Sequence, residues 1–77
     1  ADGSFLVDSS ITIRELNRIN NWELPIEGPK TLNGLIIEFM EMIPKPGTSV
    51  KLHGYALEII KRDKNTIKLV KFHPQNN

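Results

Sequence analysis

The side chains that do chemistry are few in this chain. It has no Cys, and its two histidines are His53 and His73. His53 lies in a His53-Gly54 turn and His73 precedes Pro74. Neither has a second ligand at the spacing a zinc site needs, so both read as turn and tail residues. Glu38 and Glu41 stand three apart. On a helix such a pair can hold a hydrated magnesium ion, but it equally describes a solvated polar face, which is the reading taken. Ser9-Ser10 lacks the histidine setting that activates a nucleophile. Phosphate capture favours a Gly-rich loop opening a helix. The two helix starts here are Ile11-Thr12-Ile13 and Lys30-Thr31-Leu32. These residues argue against an enzyme and leave an interaction module or a small-ligand sensor. The expected catalytic and metal sites are none.

The elements that must carry such a module fit one domain of 77 residues, small enough to have a thin stability margin. Hydrophobic residues make up 39% and charged residues 25%, a globular balance rather than a disordered one. No apolar run exceeds three residues, as in Phe5-Leu6-Val7, which is far short of a membrane span. There is no signal-peptide pattern. The first residue is Ala, as expected of a piece of a longer protein. Lack of Cys fits a reducing compartment. Charge is divided along the chain. Residues 1–43 hold three cations against seven carboxylates, and residues 44–77 hold seven against two. A nucleic-acid surface would interleave such cations with exposed aromatics. The basic half has only Tyr55 and Phe72, both assigned below to the core, so no nucleic-acid partner is expected.

Ser4–Val7 reads as a short strand. Thr12-Ile13-Arg14-Glu15 fits a capping box, with Ile11 and Leu16 spaced as a hydrophobic staple. Ile13, Leu16 and Ile19 continue the helix to Asn20-Asn21, which tolerate a left-handed end. Trp22–Pro29 is a connector broken by Pro25 and Pro29, with Trp22, Leu24 and Ile26 expected to point inward. A second helix is predicted from Leu32 to Ile43, capped by Thr31. Its stripe is Leu32, Leu35, Ile36, Phe39, Met40 and Ile43. Gly34 in its first turn implies a close neighbour. Pro44-Lys45-Pro46-Gly47 stops it.

Ser49–Leu52, Tyr55–Arg62 and Ile67–Phe72 then form a meander. A two-residue turn at His53-Gly54 pairs Leu52 with Tyr55 and Val50 with Leu57. A turn at Lys64-Asn65 pairs Ile59 with Val70 and Leu57 with Phe72. Opposed residues share a face, so both turns place Val50, Leu52, Tyr55, Leu57, Ile59, Val70 and Phe72 on one side. The opposite face carries charge, but also Ile60 opposed to Leu69, with Ile67 diagonal to them. This patch, rimmed by Lys51, Arg62 and Lys71, is the candidate partner surface: small, and suited to weak contact. The fold class is α+β, with two helices on one face of a small, mainly antiparallel sheet in the order β-α-α-β-β-β.

In this order the chain resembles the CorC/HlyC transporter-associated domain. The resemblance lies in Asp2-Gly3-Ser4-Phe5-Leu6-Val7-Asp8, Thr31-Leu32-Asn33-Gly34-Leu35, Ile43-Pro44-Lys45-Pro46-Gly47, Gly54-Tyr55-Ala56-Leu57-Glu58-Ile59 and Ile67-Lys68-Leu69-Val70. It covers nearly the whole chain. Ser9 and Asn33 stand where the family often has Gly. The resemblance implies a single module, residues 1–77 with a flexible tail at 74–77, that follows a pair of CBS domains and often a membrane domain moving magnesium, cobalt or other divalent cations. It implies a place on the cytoplasmic side of the inner membrane, in a hemolysin-like membrane protein, and a regulatory role through protein contacts. The CBS and membrane domains are then its partners, with a homodimer as a further possibility. The family fold resembles half of a PCMH-type FAD-binding fold. FAD or an adenine nucleotide is thereby suggested as a ligand by fold resemblance only. The alternative function is a sensor of such a nucleotide or flavin.

Overall fold

A computed structural model describes residues 3–74; the expected tail at 74–77 lies, beyond Pro74, outside the described residues. The elements in chain order are β1 (Phe5–Asp8), α1 (Ile13–Asn20), α2 (Leu32–Met40), β2 (Ser49–Leu52), β3 (Tyr55–Asp63) and β4 (Thr66–Phe72). One antiparallel sheet holds the strands in the order β1-β4-β3-β2. The α+β arrangement is the expected one.

Helix ends follow local chemistry. The Thr12 hydroxyl accepts the Glu15 N–H at 3.1 Å, and Asn21 closes α1 in the left-handed conformation. The reciprocal half of the capping box is not formed. The Glu15 carboxylate turns instead to the Arg18 guanidinium. α2 is shorter than expected. Glu41 adopts φ 58° and ends it after Met40, three residues before Ile43. The expected close neighbour of Gly34 is Pro29, whose Cβ would lie 3.0 Å from a side-chain carbon added there. The His53-Gly54 turn has both residues at positive φ, 49° and 93°, the geometry that matches strand twist in a two-residue hairpin.

The hairpin registers hold: Leu52 opposes Tyr55, Val50 opposes Leu57, Ile59 opposes Val70, and Leu57 opposes Phe72. Val7 of β1 joins this face opposite Val70, and against it pack Ile13 and Leu16 from α1 and Leu32, Leu35 and Ile36 from α2. Trp22 fastens the connector, its ring 4.3 Å from Tyr55 and 4.8 Å from Phe72 between centroids, and Leu24 is buried beside it. Three expected core residues lie outside: Ile19, Ile26 and Phe39 are exposed. Ile19 falls in the last turn of α1, beside β1, and Phe39 in the last turn of α2, with its ring near that of His53.

Candidate functional site

The face of the sheet away from the helices is the candidate site, and its side chains follow from register. Leu6 opposes Lys71, Lys71 opposes Glu58, and Glu58 opposes Ser49, giving one row across all four strands. Asp8 and Lys61 flank Leu69 in the next row, with Ile60 beside them. Lys51 opposes Ala56 in a third. Ile60, Leu69 and Lys71 are half-buried and Lys51 is exposed. Apolar side chains thus lie among charges of both signs, with Asp8 and Lys61 on either side of Leu69 and Glu58 set beside Lys71, an opposite-charge cross-strand pair. The sequence reading missed Leu6, which is 59% exposed. Alternation with Phe5 and Val7 was the signal, since it sends Leu6 to the other face.

Two expected members leave this face. Ile67 is 1% exposed and part of the core, and Arg62, its cross-strand partner, goes with it. The reason is a pair of opposed bulges. Between the Ile59–Val70 and Lys61–Leu69 pairs β3 has an extra residue, Ile60; between the Lys61–Leu69 and Arg62–Ile67 pairs β4 has one, Lys68. Each extra residue reverses the side on which later residues point. Ile67 and Arg62 are therefore delivered to the helix side, and Lys61 takes the open side. The bulged backbone is held from the helices. The Ile67 N–H donates to Asn33 Oδ1 at 2.7 Å, and the Arg62 guanidinium donates to the Ile43 carbonyl at 2.9 Å. Asn33 is thus a bulge clamp at the start of α2.

The remaining candidates stay apart. His53 is exposed, with its ring 5.6 Å from that of Phe39, and the His73 N–H donates to the Ala56 carbonyl. Glu38 and Glu41 are exposed, and Glu41 lies past the helix end. Among the described residues no three His, Asp or Glu side chains gather as metal ligands. The start of α2 is closed to an anion by its own hydrogen bonds. The N–H groups of Leu32, Asn33 and Gly34 donate to Ile11 O, Ser9 O and Thr31 Oγ1, so the donors of the first helical turn that a phosphate would use are occupied. No helix among the described residues is long and apolar enough to cross a membrane.

Comparison with known proteins gives a consistent picture. The family model of the transporter associated domain, CorC_HlyC, matches residues 1–76. The chain is 41% identical over 73 residues to the UPF0053 inner membrane protein YfjD of Escherichia coli, covering 95% of this chain and 17% of that protein. It is 42% identical over 71 residues to a UPF0053 protein of Haemophilus influenzae, covering 92% and 17%. The chain therefore spans 17% of the length of these curated relatives. Among solved structures, a functionally unknown conserved protein from Haemophilus influenzae matches with a TM-score of 0.92 at 40% identity, over 97% of this chain and 93% of that one. The CorC_HlyC domain of a Xylella fastidiosa hemolysin, solved in complex with Mg++ and Mn++, matches with a TM-score of 0.84 at 31% identity, over 97% and 91%.

Proposed function

The chain belongs to the CorC/HlyC family of transporter-associated domains, and from that membership we propose that it is a non-catalytic accessory module of a divalent-cation transport protein, working by protein–protein contact. The module comprises residues 1–77 as one unit of a longer chain. The reading places it on the cytoplasmic side of the inner membrane, next to CBS domains of the same polypeptide. Its match to an inner membrane protein of which it spans 17% supports that context. The Mg++ and Mn++ bound in the structure of the Xylella fastidiosa relative support a link to magnesium or similar cations as cargo of the parent.

The observation that carries the reading is the open sheet face. Leu6, Ile60 and Leu69 form an apolar strip set among Lys51, Lys61, Lys71, Asp8 and Glu58 in a two-layer domain with little surface to spare. Docked on the parent, this face relays a change in the CBS domains to the membrane domain without chemistry of its own. Arg62 contributes indirectly, by holding the bulge that shapes the strip. The test is Leu69→Lys in the parent protein. Regulation of transport should be lost while the melting temperature of the domain stays within a few degrees of wild type. Wild-type regulation in a folded variant rejects the docking role.

A further inference from the structure

The sheet has two edges, and they are built differently. β2, at one edge, carries the exposed Lys51, the kind of charge that discourages a further strand. β1, at the other, is Phe5-Leu6-Val7-Asp8, with no Lys, no Pro and no register shift against β4. Its hydrogen bonds alternate in direction. The Ser9 N–H donates to the Lys68 carbonyl at 3.0 Å, so residues 5, 7 and 9 face β4 and Leu6 turns its N–H and C=O outward. A groove beside this edge is lined by Phe5, Leu6, Val7, Ile11, Leu16 and Ile19. Its rims are the two most exposed large apolar side chains of the described residues, Leu6 at 59% and Ile19 at 60%.

We propose that the β1 edge and its groove take a second copy of this chain, with β1 pairing antiparallel to β1 about a two-fold axis through Leu6. That register is self-complementary. Leu6 of each copy exchanges two backbone hydrogen bonds with the other, Phe5 opposes Val7, and Asp8 opposes Ser4, which keeps the two carboxylates apart. A two-fold axis closes the assembly at two copies. The result is one eight-stranded sheet, with both helical layers on one side and both open faces joined on the other. The pairing shares Leu6 with the docking strip but not Leu69, which lies away from the β1 edge, and it adds Ile19, which lies off the open face, so Leu69→Lys and Ile19→Glu separate the two roles. Four residues of strand and a few side chains cover less than the ~1,200 Å² at the low end of standard interfaces, so the dimer is weak in isolation. Tethering in a parent assembly strengthens it through effective concentration.

Sedimentation equilibrium of the chain from micromolar to millimolar concentration tests this, together with amide exchange at Leu6. Expected results are a reversible monomer–dimer equilibrium and Leu6 exchange that slows as concentration rises. Leu6→Lys on the strand and Ile19→Glu on the helix should each raise the dissociation constant about tenfold or more, with unchanged melting at low concentration. Leu69→Lys should leave the dimer intact. A monomer up to millimolar concentration, or a dimer indifferent to both Leu6→Lys and Ile19→Glu, overturns the proposal and leaves the docking reading untouched.

Discussion

Single side chains settle three local questions. Thr12 caps α1 alone, because Glu15 pairs with Arg18 rather than with the Thr12 N–H. Thr12→Ala should therefore cost about 0.5–2 kcal/mol. Glu15→Ala should add to it independently, and a double-mutant cycle by urea denaturation should give a coupling below about 0.5 kcal/mol. A larger coupling would restore the reciprocal cap. Asn33 satisfies the N–H of a buried bulge residue. Asn33→Ala should cost about 1–3 kcal/mol, the penalty of leaving such a donor unpaired. Asp8 is, with Glu15, one of two carboxylates whose pKa the fold lowers. The Ser10 backbone N–H, then the Ser10 hydroxyl, hold the Asp8 carboxyl below the usual carboxylate range. An acid whose pKa is lowered by folding stabilises the fold above its unfolded pKa and loses that contribution as pH falls through the folded one. Stability should thus decline below roughly pH 4, less steeply in Asp8→Asn, as read from denaturation midpoints across pH. Equal slopes for the two proteins would remove Asp8 from the acid response.

At the scale of elements, the two bulges decide which β4 residues are core. Ile67→Ala should cost about 2–5 kcal/mol through a buried cavity, whereas Leu69→Ala, on the half-buried open face, should cost clearly less. Reversed costs would mean that β4 runs without bulges. Leu57→Ala, at the centre of β3 with no exposure, should also fall in the range of about 2–5 kcal/mol. α2 shows why a stripe overstates a helix. Leu32, Leu35 and Ile36 are buried and Met40 and Ile43 pack partly against the core, while Phe39 is 47% exposed. Periodicity records where a helix is apolar, and the sheet beneath sets how much of it is covered.

For the whole molecule, one sheet face makes the core and the other stays uncovered by the helices. The helix layer seals its own N-termini. Ile13 N–H meets Lys30 O, and Leu32 N–H meets Ile11 O, so the two helix starts bond to each other's flanking backbone instead of opening toward a ligand. Helix starts occupied in this way are poorly suited to phosphate binding. Thermal shift with FAD or an adenine nucleotide should give no rise in Tm. A ligand at a hundredfold over its Kd would stabilise by about 2.7 kcal/mol, a shift large enough to reinstate the sensor reading.

The sequence by itself determined the α+β class, both hairpin registers near their turns, the Thr12 and Thr31 caps, and the close approach at Gly34. Each of these depends on neighbours a few residues away: a turn fixes its own first pairs, and a cap needs only the next turn of helix. The family was legible too, from several short motifs in a fixed order. Tertiary structure alone decided the rest. No local signal in Ile60 or Lys68 announces a bulge, because either strand is regular when read alone. The bulges lie where Asn33, at the start of α2, accepts the Ile67 N–H and the Ile43 carbonyl, just past α2, accepts the Arg62 guanidinium. They move Ile67 into the core and leave Ile60 and Leu69 outside with Leu6. The free edge of β1 was equally hidden, since a strand's edge position is set by which strand returns to pair with it, here β4 from the far end of the chain.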